Sequence, residues 1–230
     1  AVDTDMIPLE TLYEYCKIAR KILCGKNAVG RVIARPFVKK DGEFIRTANR
    51  HDFSLEPPKP TLLDMLSSNG KTVYAIGKIY DIFASCGITE HVFTHSNKEG
   101  MERTLEAVSM DFEGLCFTNL VDFDMLYGHR QDIDGYARAF SEFDKWLPSF
   151  TEKMRDDDIL IITADHGCDP GDNSTDHTRE YIPLVVYGKK IKPENLGIRK
   201  TYADISASIA EYFGIDYSGA GESFFSNVKK

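Results

Sequence analysis

The stretch DDILIITADHGCDPGDNSTDHTREYIPLVVYG, residues 157–188, contains two short apolar runs separated by a polar segment. The first run, 159–162, lies between charged residues and polar, glycine-containing sequence, which is the pattern of a buried strand that ends in a loop. Asp165 and His166 follow this strand, and His177 precedes the second run. Because α/β sheets bind ligands at the carboxyl ends of their strands, we expect carboxylate and imidazole donors there, a set suited to zinc, manganese or iron.

A second segment with aspartate and histidine favours the metal interpretation. A single Asp-His pair at a strand end is more often a cap and a surface imidazole than a metal site. The apolar run 115–121, however, also leads into an aspartate and a histidine. We predict that two neighbouring strands of one parallel sheet present five ligands at one edge: Asp124, His129, Asp165, His166 and His177. This number exceeds the needs of one tetrahedral ion with an open position, so two ions are expected, an arrangement that clamps a transferring phosphoryl group.

Length and composition indicate a globular protein. The chain has 230 residues, of which 42% are hydrophobic and 11% aromatic, and a norm of about 150 residues per domain allows one large domain or somewhat more. The sequence contains neither an apolar run of about 18 residues nor a signal-peptide pattern. We therefore expect a soluble protein without a membrane partner. The net charge of −8 argues against a nucleic-acid partner. The sequence predicts no particular oligomeric state.

The cysteines indicate a reducing compartment. Five are present, an odd number, and they show no C-x-x-C spacing. Neither a disulfide framework nor a cysteine-based zinc site is therefore expected, and a cytoplasmic location follows.

Residues 1–56 differ in pattern from the rest of the chain. Apolar residues recur at helical spacing from Leu9 to Ile22, and β-like runs follow up to a hairpin-type turn at 39–42. This small α+β unit ends at Pro57-Pro58-Lys59-Pro60, which we interpret as a hinge because proline interrupts regular elements.

Residues 57–230 alternate between helical and strand patterns, which predicts an α/β fold with a doubly wound, mainly parallel sheet. Thr61-x-x-Asp64 predicts a capping box, and Thr201-x-x-Asp204 a capped last helix that ends at Gly214. The predicted strands are 73–76, 91–94, 115–121, 159–162 and 182–187, and the other predicted helices are 101–110 and an amphipathic one that includes 136–150.

Three segments resemble the metal-binding segments of the alkaline phosphatase superfamily and, within it, of the bacterial phosphopentomutase family: ITADHG, TDHTREYIPLVVYG and FTNLVDFDMLYGH. The segments GRVIARPF at 30–37, RTANRHDF at 46–53 and AIGKIYDIF at 75–83 are similar to that family too, so the resemblance covers essentially the whole chain. It implies an alkaline phosphatase-like core, of which residues 57–230 are the C-terminal part. Residues 1–56 would be the C-terminal part of a small α+β cap domain.

The resemblance also implies roles for individual residues. Asp124, His129 and His177 correspond to ligands of one manganese ion, and Asp165 and His166 to ligands of a second. Three further positions match contacts to the sugar phosphate: Arg31, Ile33 and Lys78. The implied reaction interconverts ribose or 2-deoxyribose 1-phosphate and 5-phosphate through an enzyme-bound phosphothreonine and a bisphosphate, and a bisphosphorylated sugar serves as activator.

The chain departs from the family pattern at its N-terminus and at Cys168. Family members carry an N-terminal segment with a further aspartate ligand and the nucleophilic threonine, and no threonine here has the matching context, so we expect this chain alone to be inactive. Cys168 stands where the family commonly has asparagine, and we interpret it as a bystander. Two alternatives are a phosphoglycerate mutase or phosphodiesterase of the same superfamily, and a non-catalytic metal-binding fragment.

Overall fold

A computed structural model of the chain describes residues 1–47 and 49–230. The N-terminal elements are β1 (Val2–Asp3), α1 (Leu9–Ile22), β2 (Arg31–Ala34), β3 (Pro36–Lys40), β4 (Glu43–Arg46) and β5 (His51–Ser54). The elements that follow are α2 (Leu62–Ser68), β6 (Thr72–Ile76), α3 (Ile79–Ile82), β7 (Glu90–Val92), α4 (Asn97–Ala107), β8 (Gly114–Thr118), α5 (Ile133–Lys153), β9 (Leu160–Thr163), β10 (Leu184–Tyr187), α6 (Ala203–Phe213) and α7 (Phe225–Val228).

The N-terminal elements form two small sheets, with strand orders β1-β3-β4 and β2-β5. The β3–β4 hairpin turns at Asp41 and Gly42, whose φ angles of 53° and 86° are those of a type I′ turn, so the predicted hairpin is confirmed. Helix α1 packs its buried residues Leu12 and Cys16 with Ala34 of β2. The division of the chain at residue 56 stays a prediction, but β5 also lies against α3 and so joins the two parts.

The central sheet of the second part has strand order β7-β6-β8, and all its pairs are parallel. Leu63, Leu66 and Val73 form its buried core with residues from α6. The capping box that opens α2 is confirmed, because the Thr61 hydroxyl accepts from the Leu63 N–H at 3.2 Å and Asp64 accepts from the Thr61 N–H at 2.7 Å. The parallel sheet brings the ends of β6 and β8 to one edge.

The strands before the two predicted ligand segments belong to different sheets, so the prediction that they are neighbours in one sheet was wrong. Strand β8 ends at Thr118, three residues earlier than predicted, and pairs with β6. Strand β9 pairs antiparallel with β10 over Leu160–Thr163 and Leu184–Tyr187. The connection between β9 and β10 contains no helix, and a parallel pair requires a crossover that is usually helical.

Two helices start differently from the prediction. Helix α4 begins at Asn97, four residues early, because Ser96 is its N-cap and accepts from the Glu99 N–H at 3.2 Å. At α6 the Thr201 hydroxyl accepts from the Ala203 N–H at 3.2 Å, but Asp204 does not cap the helix. Asp204 is buried and accepts instead from Arg199 and from the Glu222 N–H, both at 2.8 Å.

Within the described ranges, the structure contains no helix that is long and apolar enough to span a membrane.

Candidate metal centre

Two separate backbone features position the predicted ligands. After β8, residues Phe123–Gly128 form a π-helical turn that carries Asp124, and His129 follows it directly. After β9 the chain reaches Asp165 and His166 and then makes an antiparallel bridge between Gly167 and Thr178, which places His177 beside the end of β9. The loop closes here because the Thr178 N–H donates to the Gly167 carbonyl at 3.0 Å.

Asp124, His166 and His177 form a compact cluster, with one ligand atom of each lying within 4.8 Å of those of the other two. The Nε2 atom of His177 lies 3.4 Å from Oδ1 of Asp124. The rings of His166 and His177 are stacked with their centroids 3.8 Å apart. The structure thus brings together donors from the π-helical turn and from the loop after β9.

The donor set fits a divalent cation. Oδ1 of Asp124 is buried and has no hydrogen-bond partner among the described residues, although it faces the Nε2 atoms of His129 at 3.3 Å and His177 at 3.4 Å. A buried carboxylate oxygen without a partner is costly, and a cation between it and the imidazoles would remove that cost. One carboxylate with imidazole nitrogens suits zinc, manganese or iron.

Backbone carbonyls orient two of the imidazoles. Nδ1 of His129 lies 2.6 Å from the Thr175 carbonyl oxygen, and Nδ1 of His166 lies 2.9 Å from the Gly167 carbonyl oxygen. A neutral ring that donates from Nδ1 leaves Nε2 as a free acceptor, which is the form that binds metals. These contacts therefore prepare both rings to bind a cation through Nε2.

Two predicted ligands lie at the margin of the cluster. The side chain of Asp165 is 74% exposed and lies 3.6 Å from Nε2 of His166, outside the group formed by Asp124, His166 and His177. His129 approaches Asp124, and its ring centroid is 5.0 Å from that of His177. The structure thus places His166 with Asp124 and His177, and the assignment of the five residues to two separate ions stays a prediction.

A buried pair supports the π-helical turn. The Asn97 N–H donates to Oδ2 of Asp122 at 2.6 Å, and the Asp122 N–H donates to Oδ1 of Asn97 at 2.8 Å. Both side chains are buried. This reciprocal contact fixes the start of the ligand-bearing turn to the first turn of α4.

Lys78 lies close to the cluster. It follows β6, it is half-buried, and its Nζ lies against Sδ of Met125 in the π-helical turn. Burial lowers the pKa of Lys78, and so does the charge of Arg50, while Asp124 opposes this shift. A desolvated lysine beside a metal cluster can bind a phosphate group.

Arg31 and Ile33, the other predicted phosphate contacts, lie on β2. Nη1 of Arg31 lies 3.3 Å from Oδ2 of Asp52, and Ile33 is directly opposite Asp52 in the β2–β5 pair. The sequence reasoning missed Asp52 and Arg50, which form a bidentate ion pair at 2.9 and 3.0 Å. Their i, i+2 spacing at a strand could have revealed them, because residues two apart in a strand share a face.

Cys168 packs between the two ligand-bearing segments. A Cβ atom added at Gly128 would lie only 2.2 Å from Sγ of Cys168, so the thiol fills the space beside the π-helical turn. Burial raises the pKa of Cys168, and the nearby Asp124 raises it further. A raised pKa favours the protonated thiol, which is a poor metal ligand, and the role of Cys168 as a bystander stays a prediction.

Comparison with known proteins supports a metal-binding site. A family model described as the metalloenzyme superfamily matches residues 62–217. The phosphopentomutase of Lachnoclostridium phytofermentans is 56% identical over 231 residues, which cover 100% of this chain and 59% of that protein. The phosphopentomutase of Carboxydothermus hydrogenoformans is 55% identical with the same coverage, and that of Caldanaerobacter subterraneus is 57% identical over 97% of this chain and 57% of that protein. The chain thus spans somewhat under three fifths of the length of these relatives, and the resemblance to phosphopentomutases is confirmed.

A solved structure shows the same fold. Phosphoglycerate mutase of Leishmania mexicana, crystallised at low cobalt concentration, superposes with a TM-score of 0.53 and 17% identity over 70% of this chain and 38% of that chain. At this identity the likeness concerns the fold alone, and it confirms the predicted alkaline phosphatase-like α/β architecture. Because the family model covers well over half of its residues, the chain belongs to the metalloenzyme superfamily.

Proposed function

We propose that this chain is the metal-binding and phosphate-binding portion of a phosphopentomutase. The reaction interconverts ribose or 2-deoxyribose 1-phosphate and 5-phosphate through an enzyme-bound phosphothreonine and a bisphosphate intermediate. The observation that carries the proposal is the buried Oδ1 of Asp124, which faces imidazole nitrogens in a chain 56% identical to a phosphopentomutase. A pentose phosphate is then the substrate.

The residues of the candidate site divide into two roles. Asp124, His166 and His177 would hold divalent cations, with His129 and Asp165 as further ligands. When bound, two cations neutralise charge on a transferring phosphoryl group and lower the pKa of an attacking hydroxyl. We propose manganese as the ion and a bisphosphorylated sugar as activator.

Binding and orientation of the substrate fall to the basic residues. Arg31 offers a planar fork that matches two phosphate oxygens, and Lys78 offers a compact charge next to the metal cluster. Together they would hold the phosphate of the sugar so that its reacting end faces the cations. Positioning of this kind supplies much of the rate in phosphoryl transfer.

We also propose a cytoplasmic location. The support is the odd set of cysteines, all of which are free thiols in the structure.

A substrate screen with the native protein, purified at its full length, tests the proposal. With manganese and a bisphosphate activator, we expect conversion of ribose 1-phosphate to ribose 5-phosphate and no comparable activity on phosphoglycerates or phosphodiesters. Asp124→Ala should abolish the conversion. Turnover of phosphoglycerate in place of pentose phosphate would contradict the proposal and favour another mutase of the superfamily.

A further inference from the structure

Arg50, Asp52 and Arg31 form a network on the face of β5 and β2. The Asp52 side chain is 11% exposed and accepts from Nε of Arg50 at 2.9 Å and from Nη2 at 3.0 Å. It also accepts from Nη1 of Arg31 at 3.3 Å. One nearly buried carboxylate therefore fixes two guanidinium groups, one from β2 and one from the residue that precedes β5.

Over the described residues, these contacts leave some guanidinium donors of Arg50 and Arg31 without a partner. A guanidinium that binds a carboxylate through Nε and Nη2 has its Nη1 on the opposite edge of the planar fork. Arg31 uses Nη1 for Asp52, so its own Nε and Nη2 point elsewhere. Both residues can thus bind a second anion while they stay paired with Asp52.

Lys78 lies next to the helix that packs against this network. It directly precedes α3, and α3 packs against β5. Among charged neighbours, Arg50 contributes most to the lowered pKa of Lys78, ahead of Arg31. Three cations thus lie in the region of Asp52, and the carboxylates of Asp81 and Asp124 also act on them. Folding gathers like charges at a cost, and the binding of an anion offsets that cost.

We propose that Arg50 is a third cationic ligand of the phosphate bound by Arg31 and Lys78, and that Asp52 is a positioning residue that aims both guanidinium groups at it. This inference rests on the proposed function, because it assigns the site to the phosphate of a sugar phosphate. A phosphate monoester carries nearly two negative charges at neutral pH and offers several acceptor oxygens, so it can bind three cationic side chains at once.

Isothermal titration of the chain with ribose 5-phosphate and, separately, with inorganic phosphate tests the inference. We expect Arg50→Ala to weaken both affinities by at least about tenfold, because it removes charge-assisted hydrogen bonds. Arg50→Lys should recover only part of the loss, since it keeps the charge but not the fork. Lys17→Ala is the matched control, since Lys17 is an exposed cation that pairs with Glu14 on α1, and it should leave both affinities unchanged.

Asp52→Asn separates positioning from simple charge. Removal of this carboxylate increases the net positive charge, so a purely electrostatic role predicts tighter phosphate binding. Positioning predicts weaker binding, by about threefold to tenfold, because the arginines lose their orientation. Equal or tighter binding by Asp52→Asn would overturn the role given to Asp52.

The remaining outcomes are also decisive. Equal affinities of wild type, Arg50→Ala and Arg50→Lys would exclude Arg50 from the site. If circular dichroism shows that Arg50→Ala is unfolded, the affinity of Arg50→Lys alone decides whether Arg50 binds the phosphate. A wild-type chain that binds neither ligand would overturn the inference. A chain that binds both ligands with the expected variant effects, while the native protein lacks mutase activity, would overturn the proposed function and leave this inference standing.

Discussion

Asp124 is the residue on which the candidate centre depends most. Its Oδ1 is buried, faces two imidazole Nε2 atoms at 3.3 and 3.4 Å, and lacks a hydrogen bond among the described residues. A protonated histidine could compensate the charge, but two imidazoles around one oxygen give a geometry that a cation satisfies better. The cluster is therefore arranged for a bound ion more than for an ion pair.

We expect His177→Ala to lose a metal ion. His177 links Asp124 to the stacked ring of His166, so its removal opens the centre of the cluster. The loss of affinity should exceed the roughly 10- to 100-fold that follows removal of a supporting hydrogen bond. Elemental analysis after dialysis measures this, and His95→Ala, which replaces an exposed histidine outside the cluster, is the control. Equal metal content in the two variants would remove His177 from the site.

Asp204 gives a prediction about pH. The Glu222 N–H holds the pKa of Asp204 below its usual range, burial opposes this, and Arg199 lowers the pKa further. A folded-state pKa below the unfolded value of about 3.9 means that the carboxylate stabilises the fold above about pH 4. This contribution is lost as the pH falls through the folded-state pKa.

Asp204→Asn should therefore lower the free energy of unfolding by about 1.5–3 kcal/mol at pH 7. The difference from wild type should shrink as the pH falls below 4. Urea denaturation at several pH values measures it, and Asp156→Asn, which breaks an exposed pair with Lys189, should have almost no effect. A difference that is constant from pH 7 to pH 3 would show that ionisation of Asp204 does not stabilise the fold.

The ligand types could be predicted from the sequence because they follow from short patterns at strand ends. Asp124, His166 and His177 were all named, and the structure brings them together. Their grouping could not be predicted, because it depends on the π-helical turn and on the Gly167–Thr178 bridge. The pairing of Arg50 with Asp52 could be predicted from their spacing, but their proximity to Lys78 could not, because it depends on the packing of β5 against α3.

At the scale of elements, the site depends on contact between the π-helical turn and the loop after β9. Gly128 and Cys168 form that contact. Gly128 directly precedes His129, and Cys168 comes shortly after His166. The capping box of α2 and the β3–β4 turn could be predicted because their signals are local, whereas the cap predicted for Asp204 at α6 was wrong because Asp204 pairs with Arg199 instead. The pairing of β9 with β10 could not, because apolar runs do not reveal which strands pair.

Gly128→Ala should destabilise the protein by about 1–3 kcal/mol, because the new Cβ would lie 2.2 Å from Sγ of Cys168. Cys168→Ala in the same chain should recover part of the loss, since it removes Sγ and keeps Cβ of residue 168, at 3.9 Å from the new methyl group. The Phe123 carbonyl oxygen, at 3.1 Å, prevents full recovery. A double-mutant cycle by urea denaturation measures the coupling, and strictly additive effects would show that the two segments do not meet there.

At the scale of the whole molecule, two sheets approach the candidate site with open edges. Over the described residues, β8 pairs with β6 and β9 pairs with β10, and neither has a strand on its other side. All five residues of β8 are only half-buried, although the run contains Leu115, Cys116 and Phe117. Open strand edges and half-buried apolar residues favour association with another polypeptide segment. The phosphopentomutase relatives are longer, with this chain spanning 59% of two of them.

We therefore expect the 230-residue chain alone to have no mutase activity. The proposed chemistry needs a nucleophilic threonine held in line with phosphorus, and the resemblance places that threonine in a segment outside this sequence. The metal cluster can bind a cation without it, but the resemblance assigns the role of the nucleophile to no residue of this chain. Incubation with ribose 1-phosphate, manganese and a bisphosphate activator should yield no ribose 5-phosphate above background, whereas the full-length native protein should convert it. Turnover by the 230-residue chain that disappears in Asp124→Ala would show that these residues supply their own nucleophile, because contaminating enzyme would not respond to that substitution.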